Sequence, residues 1–137
     1  MKKYKPIDVS GDAGLRVSGE TLQELFENAA LGMSELITDT VKIKETEKKE
    51  FLLSAQNYEG LLIRWLNELI FFLDAYGFIG KSFSVSLKGN ELRAEVSGGY
   101  FDPKSNKGRL LIKAATYHRV RVERKDNTWE AEVIFDI

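Results

Sequence analysis

The side chains able to do chemistry in this sequence are few, and the most suggestive are carboxylates beside glycine. Asp8 and Asp12 bracket Val9-Ser10-Gly11, and Gly14 follows. Carboxylates on a tight loop can surround a hard cation such as Ca²⁺ or Mg²⁺, which takes oxygen ligands at about 2.0–2.6 Å. Glycine lets the backbone bend so that carbonyls join the shell. The same residues also suit an ordinary turn, because Asp side chains readily hydrogen-bond to nearby backbone. A second candidate is Phe135-Asp136-Ile137, where an acid and a terminal carboxylate come close together. Val133 and Phe135 continue a strand-like alternation up to that point, so a docked strand is expected rather than a frayed end.

Other polar groups are harder to turn into a site. The single histidine, His118, closes the stretch Lys113-Ala114-Ala115-Thr116-Tyr117-His118. With no cysteine and no serine motif to activate, it is a poor general base. Arg119, Arg121 and Arg124 follow it, with Arg119 and Arg121 on one strand face. They can contact phosphate or pair across the sheet with Glu130 and Glu132. Arg64 and Glu68 are spaced for a helix ion pair. Asn67 is expected to face water. No P-loop, G-x-S-x-G, H-E-x-x-H or dinucleotide fingerprint occurs.

These residues must be held by a framework of modest size. The 137 residues suit one domain, 1–137, and 43% apolar content is enough for one core. The 20 basic and 21 acidic residues nearly cancel, which argues against a dominant nucleic-acid-gripping surface. The absence of cysteine excludes disulfides and thiolate metal sites. Lys2 to Pro6 is basic but runs into Ile7-Asp8, unlike a signal peptide. The apolar run from Leu61 to Leu73 is interrupted by Arg64, Asn67 and Glu68 and is too short for a bilayer. A soluble, cytoplasmic protein without a membrane role is expected.

Short strands are expected at Tyr4 to Val9 and Leu15 to Val17 around a loop at residues 10–14. A capping box, Thr21 with Glu24, starts a first helix. Its apolar stripe runs from Leu22 to Ile37 at three- and four-residue steps and ends near Thr38 to Thr40. Val41 to Ser54 reads as strand, exposed edge or turn, then strand. Asn57 caps a second helix with Leu61, Leu62, Trp65, Leu66, Leu69, Ile70 and Leu73 buried, and Gly77 stops it. Phe83 to Leu87 and Leu92 to Val96 form a hairpin about Gly89-Asn90. After a loop from Gly98 to Gly108, a strand is expected near Arg109. A last hairpin, Tyr117 to Arg124 and Trp129 to Asp136, turns at Asp126-Asn127. The fold class is α+β, two main helices on a largely antiparallel sheet.

Several blocks in this order resemble one family. Asp8-Val9-Ser10-Gly11-Asp12-Ala13-Gly14 is similar to the D-H-T-A-D-x-G signature of archeases. Thr21 through Leu36 resembles the family's first helix, and Leu66-Asn67-Glu68-Leu69 its second. Gly99-Tyr100-Phe101-Asp102-Pro103, Lys113 to His118 and Phe135-Asp136-Ile137 match the remaining blocks, so the likeness covers essentially the whole chain. Two departures stand out. Val9 replaces the signature histidine, and Asn106 or a neighbour replaces the histidine after the F-D-P block.

The resemblance implies a fold of duplicated strand-helix-strand-strand modules, one inserted in the other. It implies an accessory protein, not an enzyme, acting in tRNA processing. Its partner would be the GTP-dependent RNA-splicing ligase, whose guanylylation and multiple turnover it promotes. GTP is then used by the ligase, and RNA is met indirectly through it. The resemblance also implies a divalent cation, Ca²⁺ or alternatively Mg²⁺ or Mn²⁺, at Asp12, Asp136 and Ile137. Neither histidine replacement removes an oxygen ligand. Two other expectations remain open, an independent metal-dependent phosphoesterase using Asp8, Asp12 and Asp136, and a general protein- or RNA-binding chaperone.

Overall fold

The computed structural model of the protein describes residues 3–137. Strands β1 (Tyr4–Val9) and β2 (Asp12–Gly19) form a hairpin that turns at Ser10-Gly11. Gly11 supplies the left-handed backbone, φ +79°, that this tight turn needs. Helix α1 (Leu22–Ile37) follows, then a 3-10 turn at Thr40–Lys42, strand β3 (Glu47–Ser54) and helix α2 (Tyr58–Tyr76). Strands β4 (Phe78–Lys88), β5 (Glu91–Tyr100), β6 (Ala114–Lys125) and β7 (Thr128–Asp136) complete the order.

The strands form two sheets, β1-β2-β7-β6 and β3-β5-β4. Every pairing is antiparallel. The expected duplication is visible in this order. β2-α1-β6-β7 and β3-α2-β4-β5 are each strand-helix-strand-strand, and in each the last strand lies between the other two. The second unit is inserted between α1 and β6, and β1 extends the first sheet. Both helices touch both sheets, so one core serves the molecule. No described helix is long and apolar enough to cross a membrane.

Helix boundaries follow local chemistry. The Thr21 hydroxyl accepts the Glu24 N–H at 3.1 Å, while the Glu24 carboxylate takes the Lys3 ammonium at 2.7 Å, outside the expected reciprocal box. That hydrogen bond is the main reason the Glu24 carboxyl titrates below its ordinary range. The Asn57 side chain accepts from the Gly60 N–H at 2.7 Å to start α2, and Gly77 ends it with φ +73°. Between these caps Trp65 is fully buried. Its ring meets Phe51 and Phe83 edge-on at 5.6 and 6.3 Å. Its indole N–H donates to the Phe26 carbonyl at 3.1 Å, joining α2 to α1.

Strand limits depart from expectation where side-chain pattern misleads. Glu47 to Glu50 belong to β3 despite their charge, because Lys48 and Glu50 alternate outward on an edge strand and Lys48 reaches Glu95 at 3.3 Å. β4 begins at Phe78, five residues ahead of the expected alternation. β5 continues past the expected loop start at Gly98 to Tyr100, and the loop that follows runs from Phe101 to Lys113, so no strand forms at Arg109. Arg64 donates to the Ser54 carbonyl at 2.7 Å instead of pairing with Glu68.

Trp65→Ala removes a buried ring and the bond between the helices. It is expected to cost about 3–5 kcal/mol, measured as a lower urea midpoint at unchanged slope.

Candidate metal centre

The register of the first sheet decides which carboxylates meet. β1 pairs Val9 with Asp12, β2 pairs Ala13 with Phe135, and β6 pairs Ala114 with Asp136. One step along the β2–β7 register sets Asp12 opposite Asp136. Directly opposed residues on one sheet face have Cβ atoms about 4.5–5.5 Å apart. Val9, Asp12, Asp136 and Ala114 thus form a row across four strands. Leu15, Val17, Val133 and Phe135 are buried on the other face, so this row lies on the outer one. Asp12 is half-buried and Asp136 exposed. The Lys113 N–H donates to the Asp136 carbonyl at 2.8 Å, which docks the end of β7.

Two adjacent carboxylates repel each other, and a bound cation offsets that repulsion. An all-oxygen donor set suits Ca²⁺, Mg²⁺ or Mn²⁺, so the residues present fit the implied ion. Among the described residues no three Asp, Glu or His side chains converge on one point. A cation held here would therefore need further oxygens, from Ile137, backbone carbonyls or water. Asp8 is not one of them. It pairs with Ala13 and so faces the side of Phe135, opposite to Asp12. The expected loop holding both aspartates does not form, because a two-residue turn leaves each on a strand with its own alternation.

Asn67 has a positioning role that the sequence reading missed. Its side-chain amide donates to the Ala115 carbonyl at 3.1 Å and accepts the Ala115 N–H at 2.8 Å. Instead of facing water, it clamps the start of β6 to α2 beside the pairing partner of Asp136. Its neighbours at i−4 and i+3, Ile63 and Ile70, are both buried. That helical spacing was the available signal.

Two of the three arginines after His118, Arg119 and Arg121, are committed to carboxylates. Between Thr116 opposite Ile134 and Arg121 opposite Glu132, β6 bulges by several residues, with Arg119 in the left-handed region at φ +55°. Arg119 and Arg16 reach the buried Glu132 carboxylate at 3.4 and 3.1 Å. Arg121 turns to Glu123 at 2.6 Å, and Lys125 approaches Glu130 at 3.9 Å. Cross-strand pairing therefore holds for Arg119 with Glu132. His118 lies exposed on the bulge.

Residues 4–137 match the model of the archease protein family (MTH1598/TM1083). The chain belongs to the archease family. It is 33% identical over 139 residues to the protein archease of Sulfurisphaera tokodaii, covering all of both chains. It is 34% identical over 141 residues to that of Methanosarcina mazei, covering 99% of this chain and 97% of the relative. The solution structure of Methanobacterium thermoautotrophicum protein 1598 superposes over the whole of both chains with a TM-score of 0.83 at 31% identity. The crystal structure of a Thermotoga maritima archease, described as a possible chaperone, matches 97% of this chain and 96% of its own at a TM-score of 0.70 and 26% identity.

The two departures from the archease pattern fall in different settings. Val9 sits beside Asp12 and places an apolar group next to the carboxylates. Asn106 is buried, accepting the Asp102 N–H at 2.7 Å and donating to the Lys42 carbonyl at 3.2 Å, so it braces a loop.

Asn67→Ala leaves both backbone groups of Ala115 without their side-chain partner. It is expected to cost about 2 kcal/mol in urea unfolding, with the earliest loss of amide-exchange protection at Ala114 to Thr116.

Proposed function

We propose that this archease is a non-catalytic accessory protein of a GTP-dependent RNA-splicing ligase, promoting that enzyme's guanylylation and repeated turnover in tRNA splicing and RNA repair. In this reading it holds a divalent cation through Asp12, Asp136 and Ile137, with Ca²⁺ favoured over Mg²⁺ or Mn²⁺. The adjacency of Asp12 and Asp136 across β2 and β7 carries the proposal. Bound there, a cation supplies fixed positive charge and exchangeable coordination positions. The chain's own part is to hold the ion on the outer face of a rigid sheet, where a partner can approach it. GTP and RNA are handled by the ligase. The near-balance of 20 basic and 21 acidic residues supports RNA contact being indirect. A cytoplasmic setting belongs to the same proposal.

An independent phosphoesterase has less support, because Asp8 faces away from Asp12 and Asp136. A general chaperone remains a separate alternative, named by the description of one relative.

Asp12→Asn is expected to weaken Ca²⁺ binding by about tenfold or more, since affinity follows ligand charge. Calorimetry showing unchanged affinity would overturn the ligand assignment. Substoichiometric wild-type protein should convert single-turnover ligation by the cognate ligase into many turnovers. A ligase whose turnover and guanylylation do not respond would overturn the accessory role.

A further inference from the structure

Next to the carboxylate corner, an open groove of about 400 Å³ lies between the C-terminal end of α2 and the extended segment 108–112. Ile37, Leu73, Phe101, Leu110 and Ile112 make it apolar, with Asp74 and Arg109 also in its lining. Leu111, in the same segment, is 75% exposed. We propose that this groove is the docking site for a short extended segment of a partner protein, apolar in its centre and carrying a basic residue.

Two features select that occupant. The segment runs extended but belongs to neither sheet. The Arg109 and Leu110 N–H groups bond to the last carbonyls of α1 at 2.8 and 3.1 Å, and that of Lys113 bonds to Asp136. Among the described residues, the N–H and C=O of Leu111 and the N–H of Ile112 meet no backbone partner. Of these two residues Leu111 is the exposed one. In an extended chain its N–H and C=O point to one side together, so an incoming backbone can bond there while the apolar floor receives the side chains on either side of that bond.

Charge is the second feature. Asp74 lies in the last turn of α2, which has no basic residue. A carboxylate at the negative end of a helix is unfavourably placed, and Asp74 forms no ion pair among the described residues. Arg109 does not relieve it, being drawn to Glu35 at 3.5 Å. A Lys or Arg on the incoming segment would. A second copy of this chain fits less well. Pairing through so short a stretch buries much less than the roughly 1,000 Å² a stable dimer needs, whereas a partner can add contacts elsewhere.

Because Lys113 joins the groove to Asp136, a segment bound here ends beside the candidate metal centre. The proposal rests on the accessory reading only for which protein supplies the segment, and peptide binding tests the groove whatever the ligase does. The ¹⁵N-labelled full chain would be titrated with acetyl-Lys-Val-Leu-Val-Lys-amide and with its Glu-flanked counterpart. Shift changes are expected at Leu73, Phe101 and Leu110 to Ile112, with the basic peptide bound about fivefold more tightly. Asp74→Lys should reverse the preference, and Leu111→Asp should abolish the changes while the remaining spectrum is preserved. Three results would overturn the proposal: no change at the groove with either peptide, equal affinity for both, or groove shifts that depend on protein concentration alone and so report self-association.

Discussion

The antiparallel contact between β2 and β7 is the constraint on which the rest of the molecule depends. It joins residues as distant as Arg16 and Glu132, 116 positions apart. Leu15, Val17, Val133 and Phe135 are buried at the seam, and their burial sets its register. Because side chains alternate with period two, a one-residue slip would turn Glu132 into the core and Val133 outward. Glu132 is itself nearly inaccessible and pairs with two guanidinium groups, so a slipped register would separate a buried carboxylate from its partners at a cost on the order of several kcal/mol. The same register brings Asp12 and Asp136 abreast. Packing on one face of the seam thus determines carboxylate placement on the other.

The two strand-helix-strand-strand units use equivalent corners differently. In the outer unit the start of β2 carries Asp12, opposite Asp136. In the inserted unit the start of β3 carries Glu47, opposite Gly98. Gly98 and Gly99 are there for room, since a side chain on either would collide with the carbonyl of Ile79 or Lys44. The inserted corner serves close backbone approach. The outer corner has no such crowding and can carry two acids. Paired acids at this place are therefore not a requirement of the architecture, which strengthens their reading as a binding feature.

Much of this was legible in the sequence, and the failures have physical causes. Both helices are legible because caps and three-to-four-residue periodicity are local. Both hairpin turns at Gly89-Asn90 and Asp126-Asn127 were legible for the same reason. The charged stretch of β3 was not, because an edge strand tolerates charge on its open side. The bulge in β6 left no local mark, and it alone decides which arginine meets Glu132. Asp12 and Asp136 could be singled out by residue type, but adjacency over such a separation comes from pairing register. In the sequence only the resemblance to archeases links them. Asp8 and Asp12 look like one loop pair in the sequence because proximity hides the alternation of strand faces.

Insertion of one unit inside the other also imposes an order of events during synthesis. β3, α2, β4 and β5 are contiguous and can pair as soon as they leave the ribosome. β2 emerges early yet finds β7 only after the whole inserted unit has been made. Until then its apolar face needs temporary cover, and the acidic corner has one wall. A chain stalled or cleaved ahead of β7 would lack the strand that carries Asp136 and so would have no corner. The outer sheet and its acidic corner therefore form only once β7 has been made.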